Sequence, residues 1–108
     1  MQMKLDKTEE ILRKGAHFHF VGIGGAGMLP LAMLLSDLGY SVGGCDLVSP
    51  KSLAALENRG IAVSKGHGVA HLSGVDRLIY SYAAEDTHEV KMARAKSIPT
   101  YSRAELIG

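Results

Sequence analysis

The chain has 108 residues, 46% hydrophobic and 21% charged, with a formal charge of +1, a balance that suits one small folded domain and excludes a disordered tail. Twelve Lys and Arg against eleven Asp and Glu leave no broad basic field for a nucleic-acid backbone. The longest nearly continuous apolar stretch, residues 26–35, is about half the roughly 20 residues of a bilayer span and is interrupted by Gly27 and Pro30, so no membrane segment is expected.

The first fifteen residues lack the apolar block of a secretory signal, and the single cysteine, Cys45, has no internal disulfide partner; both point to a cytoplasmic protein. Within residues 5–14, Leu5, Ile11 and Leu12 share one side of a helical wheel, acidic residues come early and basic residues late, and Gly15 is a natural stop. Residues 17–23 read as a strand with Phe18, Phe20 and Val21 as bulk, ending at a glycine cluster. Residues 26–38, rich in Leu, Met and Ala, read as a helix closed by Gly39, with Met28 and Met33 as core candidates. Pro30 lies far enough into that span to remove a hydrogen bond to the Ala26 carbonyl, which predicts a local bend.

Residues 40–45 form a second short strand with Asp46 at its end. Ser49 as N-cap and Pro50 at the first helical position open a helix through Asn58, closed by Gly60. Further strands are expected at residues 61–64, 77–82 and 98–101, a helix at 86–96, and the start of another at 103–107; the loop 65–71 carries two glycines and two histidines. Strands alternating with helices over short connections predict an α/β fold: a Rossmann-like, doubly wound parallel sheet of about five strands in one domain.

Gly22, Gly24 and Gly27 make G-x-G-x-x-G directly after a strand and before a helix. In that context the first glycine permits the turn, the second lets backbone approach a diphosphate, and the third lets the helix pack near the strand. Free N–H groups and the positive helix end then face the anion. Asp46, 24 positions after Gly22, is placed to reach a ribose hydroxyl or is an ordinary turn aspartate. About five strands suit one nucleotide better than a dinucleotide, and His67 and Ser81, in loops following strands, are the next candidate contacts. His17 with His19, and His67 with His71, lack a third ligand of suitable spacing for zinc; Cys45 and Ser81 lack an evident base, so neither a metal nor a catalytic nucleophile is expected.

The run from His19 to Met28, His-Phe-Val-Gly-Ile-Gly-Gly-Ala-Gly-Met, strongly resembles the opening motif of the Mur ligases, and within them the branch that joins L-alanine to UDP-N-acetylmuramate in peptidoglycan synthesis. The resemblance continues at Leu38-Gly39-Tyr40, Gly44-Cys45-Asp46, Gly66-His67, Ser81-Tyr82-Ala83, Ile98-Pro99 and Arg103-Ala104-Glu105-Leu106. It departs at Cys45, where the family usually has serine, at Tyr82, where a small residue is usual, and at Thr87-His88, where Asn-Pro is common. The resemblance implies that Gly24, Gly25, Ala26, Gly27 and Met28 cradle the diphosphate, while Asp46, His67, Ser81, Tyr82 and Ala83 surround ribose and uracil. It also implies that residues 1–108 are the first, UDP-sugar-binding domain of a longer cytoplasmic ligase whose other domains bind ATP with Mg2+ and the incoming amino acid. No G-x-x-x-x-G-K-[ST] occurs in the chain, so by itself it is expected to be inactive. Three other readings stay open: the first domain of the ligase that recycles murein tripeptide, an NAD-binding domain with the same turn, and a stand-alone protein that kept the fold, lost the ligand and acts through protein contacts.

Overall fold

The structure, a computed structural model, describes residues 12, 15–25, 27–46, 53–65, 72–81 and 84–107. In chain order the elements are β1 (His17–Val21), α1 (Met28–Asp37), β2 (Ser41–Asp46), α2 (Leu53–Asn58), β3 (Ala62–Lys65), β4 (Arg77–Tyr80), α3 (His88–Ala95), β5 (Thr100–Ser102) and α4 (Arg103–Ile107). The strands form one sheet in the order β3-β2-β1-β4-β5 with every pairing parallel, the doubly wound α/β arrangement expected. His17 to Val21 pair with Ser41 to Cys45 on one side, and Phe18 to Val21 with Arg77 to Tyr80 on the other. The order doubles back across β1, so the chain leaving β1 enters the crevice of a topological switch point.

Side-chain alternation along each strand builds two cores. Phe18 and Phe20 of β1, with Val42 and Ile79, meet Met28, Ala32 and Leu35 of α1, Leu56 of α2 and Leu106 of α4. On the opposite face Val21, Cys45, Leu78 and Tyr80 meet Val90 and Ala93 of α3, together with Leu72 and Ala84. Met28 is fully buried and Met33 packs at the edge of the first core, as expected of both.

Boundaries differ from the expected ones for local reasons. β1 stops at Val21 because the next two amides, of Gly22 and Ile23, both turn toward the Cys45 carbonyl, at 2.9 and 3.1 Å. α1 begins at Met28, two residues later than expected, which places Pro30 within its first turn. There the proline nitrogen is not required as a donor, which removes the reason for expecting a bend. The leading helix over residues 5–14 lies outside the described residues except for Leu12, whose carbonyl accepts the Tyr40 hydroxyl at 2.6 Å. The Ser49 and Pro50 helix start also lies outside them; the described part of that helix is α2.

Candidate functional site

Asp46 is the last residue of β2, and its Oδ2 accepts the Gly24 amide at 2.8 Å. The aspartate at the end of the second strand and the middle glycine of the turn are thus directly joined. This corrects the expectation of freely pointing amides. Gly24 donates to Asp46, Gly25 to the Gly22 carbonyl at 3.0 Å, and Met28 and Leu29 to the Gly25 carbonyl at 3.0 and 3.2 Å. The turn is pre-formed by its own hydrogen bonds. Among the described residues of the turn, Gly27 is the one whose amide has no acceptor.

Gly22 and Gly27 both adopt φ +80, a left-handed conformation that costs a residue with a Cβ and costs glycine nothing. Gly27 is the N-cap of α1; that helix has no side-chain cap and no acidic residue in its first turn. Among the described residues, no side-chain cap and no first-turn acid of the helix offsets its positive end. Ser81 arrives from the end of β4, its Oγ lying 3.8 Å from where a Cβ on Gly22 would stand. Gly22, Gly24, Gly25, Gly27, Asp46 and Ser81 are thus gathered at the carboxyl ends of β1, β2 and β4, where open sheets take ligands. Met28 sends its side chain into the core, so it contributes to the turn through its backbone. Ala26, His67, Tyr82 and Ala83 lie outside the described residues.

Gly44 explains how the turn reaches β2. A Cβ there would stand 2.7 Å from both the Phe20 carbonyl oxygen and Ile23 Cδ1, so the chain after β1 folds down onto a strand position that must lack a side chain. The glycine inside β2 is a packing requirement of the turn.

Two residues near the turn were not assigned to the site from sequence, although Arg103 belongs to a stretch that carries the family resemblance. Arg103, the first residue of α4, lays its side chain on the turn: a Cβ on Gly27 would be 3.0 Å from Arg103 Nε and 3.1 Å from Cδ and Cζ. Glu89 is fully buried beneath the sheet, accepting from Cys45 Sγ at 2.9 Å and lying 3.3 Å from His19 Nε2. Their separation in sequence from the glycine motif hides both; the S-x-x-E spacing from Ser102 to Glu105, which marks a helix start beside Arg103, was the available signal for the first.

The donor atoms of His19, Cys45 and Glu89 lie within 4.8 Å of one another. They are three donors sealed from solvent, with no fourth donor side chain among the described residues, short of the four ligands of a closed zinc site. The burial of Cys45 first, and then its bond to the Glu89 carboxylate and the charges of Glu89 and Asp46, push the thiol well above its ordinary range, against a smaller opposing effect of the Gly22 amide. Cys45 is a packed hydrogen-bond donor, held in its protonated form. A cleft of about 320 Å³ is lined by His17, Ser41, Gly43, Ala62 and Ser64 among others.

Residues 17–108 match the model of the Mur ligase family, catalytic domain. The UDP-N-acetylmuramate–L-alanine ligase of Verminephrobacter eiseniae is 46% identical over 92 residues, covering 84% of this chain and 19% of that protein. Among solved structures, the UDP-N-acetylmuramate-alanine ligase of Thermotoga maritima superposes with a TM-score of 0.78 at 29% identity, covering 84% of this chain and 21% of the other. The UDP-N-acetylmuramate:L-alanyl-gamma-D-glutamyl-meso-diaminopimelate ligase of Neisseria meningitides gives 0.74 at 30% identity, covering 82% and 29%. The chain spans about a fifth of the length of the curated relatives it matches. With its glycine turn, parallel sheet and strand order already accounted for residue by residue, the chain belongs to the Mur ligase family.

Proposed function

We propose that residues 1–108 bind the uridine diphosphate part of UDP-N-acetylmuramate, as the first domain of an ATP-dependent ligase that adds L-alanine in peptidoglycan synthesis. The observation that carries this reading is the pre-formed glycine turn at an uncapped helix N-terminus, bonded to Asp46 at the next strand end. An anion placed there meets the positive end of α1 and the Gly27 amide. Gly22, Gly24, Gly25, Ala26, Gly27 and Met28 form the diphosphate cradle. Asp46, His67, Ser81, Tyr82 and Ala83 surround ribose and uracil. An ionised carboxylate has several acceptor sites, so Asp46 can hold Gly24 with one oxygen while accepting from ribose hydroxyls.

The L-alanine-adding branch is supported by the 46% identity to a ligase of that name, while among solved structures the L-alanine and murein-peptide enzymes stand level at 29% and 30% identity. ATP and Mg2+ belong to the longer enzyme. This chain has no P-loop sequence to hold a nucleoside triphosphate, and none of its residues is assigned to that role.

Calorimetric titration of the chain with UDP-N-acetylmuramate, UDP and NAD tests the reading. Both uridine nucleotides are expected to bind and NAD to bind more weakly or not at all. Tighter binding of NAD, or no binding of either uridine compound, would overturn it. Gly24→Val is expected to abolish uridine nucleotide binding while leaving the circular dichroism of the fold unchanged, because a branched side chain obstructs approach to the turn. For the full-length enzyme, a supply of L-alanine or of murein tripeptide as the amine separates the two ligase branches.

A further inference from the structure

The three helices with described starts treat their N-termini differently. In α3, Thr87 Oγ1 accepts the Val90 amide and Glu89 lies in the first turn. In α4, Ser102 and Glu105 cap each other reciprocally: the Ser102 amide donates to Glu105 Oε1 at 2.9 Å and the Glu105 amide to Ser102 Oγ at 3.2 Å. α1 has neither a cap nor an acidic residue, and what its start receives is a cation, the side chain of Arg103. Arg103 is partly buried and makes no hydrogen bond or ion pair with any described residue. A guanidinium against the positive end of a helix, with no carboxylate of its own, is an arrangement that an anion stabilises and its absence does not.

Arg103 is also held there by design of its surroundings. It stands between the two members of the capping box, so the box that ends β5 and starts α4 fixes its backbone. Its Nε and Cζ approach Gly27 so closely that any Cβ at that position would meet them at 3.0–3.1 Å. The third glycine of the motif is therefore required twice, by its left-handed φ and by the seat it leaves for an arginine from the far edge of the sheet.

We infer that Arg103 is a phosphate-binding residue of the nucleotide site, its guanidinium donating to the non-bridging oxygens of the diphosphate opposite the Gly27 amide. This rests on the uridine-nucleotide reading and adds to it the side chain that senses the charge of the linkage. A planar fork of N–H donors matches two phosphate oxygens at once, which a lysine cannot reproduce. The diphosphate is held by charge as well as by backbone amides, and discrimination between UDP and uridine passes largely through Arg103.

The test is a pair of titrations of the 15N-labelled chain, with UDP and with uridine, for the wild type, Arg103→Gln and Arg103→Lys. Arg103→Gln is expected to weaken UDP at least tenfold while leaving uridine affinity unchanged, and Arg103→Lys to recover part of the loss. UDP affinity unchanged in Arg103→Gln would overturn the inference and leave the nucleotide reading standing. Equal losses of UDP and uridine would assign Arg103 a structural role and also overturn it. A wild type that binds UDP no better than uridine would remove phosphate recognition by the turn, and with it the inference.

Discussion

Cys45 joins the site to the core. Its carbonyl anchors both Gly22 and Ile23, and its thiol donates to Glu89, which lies against His19. Because burial and carboxylate neighbours raise the thiol above its ordinary value of 9.0, the folded state holds a proton that the unfolded chain releases above that pH. The linked stability is complete below about pH 9 and is lost as pH rises beyond it. Denaturant melts between pH 8 and 10.5 are expected to show this decline and Cys45→Ser to lessen it; parallel curves for the two proteins would contradict it. The same protection predicts that native protein resists iodoacetamide and that urea-unfolded protein is alkylated, as mass spectrometry would report. At Gly44, where an added Cβ meets a backbone oxygen at 2.7 Å, Gly44→Ala is expected to cost about 1–3 kcal/mol in chemical denaturation. The sequence displays His19, Cys45 and Gly44 but not their partners. Glu89 comes from a helix 44 positions beyond Cys45, and only the parallel crossover brings it beneath β2.

Among the elements, the strands were legible to within one or two residues because apolar alternation and glycine punctuation fix them. Helix starts missed by no more, α1 and α3 each beginning two residues later than expected; for α1 the reason is that the turn preceding it has helix-like composition. The displacement of that start by two residues decides the meaning of Pro30. In the first turn it strains nothing, so Pro30→Ala is expected to change stability by less than about 1 kcal/mol, whereas relief of an interior proline would raise it by about 3 kcal/mol. The Ser102–Glu105 box makes the opposite kind of claim. Ser102→Ala removes a donor's partner at a helix start and is expected to cost about 1 kcal/mol. If Arg103 is seated by that box, the same substitution weakens UDP binding as well, without touching the nucleotide.

At the scale of the whole molecule, the sheet order carries the function. Placing β1 at the centre with β2 and β4 on either side brings Gly22–Gly27, Asp46 and Ser81 to one rim, while the alternating faces of the same strands bury two separate cores. The glycine motif and Asp46 were legible as a site because both sit at strand ends within one strand–helix–strand unit. Arg103 was not, since its approach depends on β5 closing the far edge of the sheet. Asp46→Ala should loosen the turn by about 1 kcal/mol, through the lost Gly24 bond, and weaken UDP at least tenfold. The most direct measurement is a crystal structure of the chain with UDP. The diphosphate is expected within about 3 Å of the Gly27 amide, with ribose hydroxyls at Asp46. A nucleotide seated in the cleft lined by His17 and Ser41, with nothing at the glycine turn, would contradict the account.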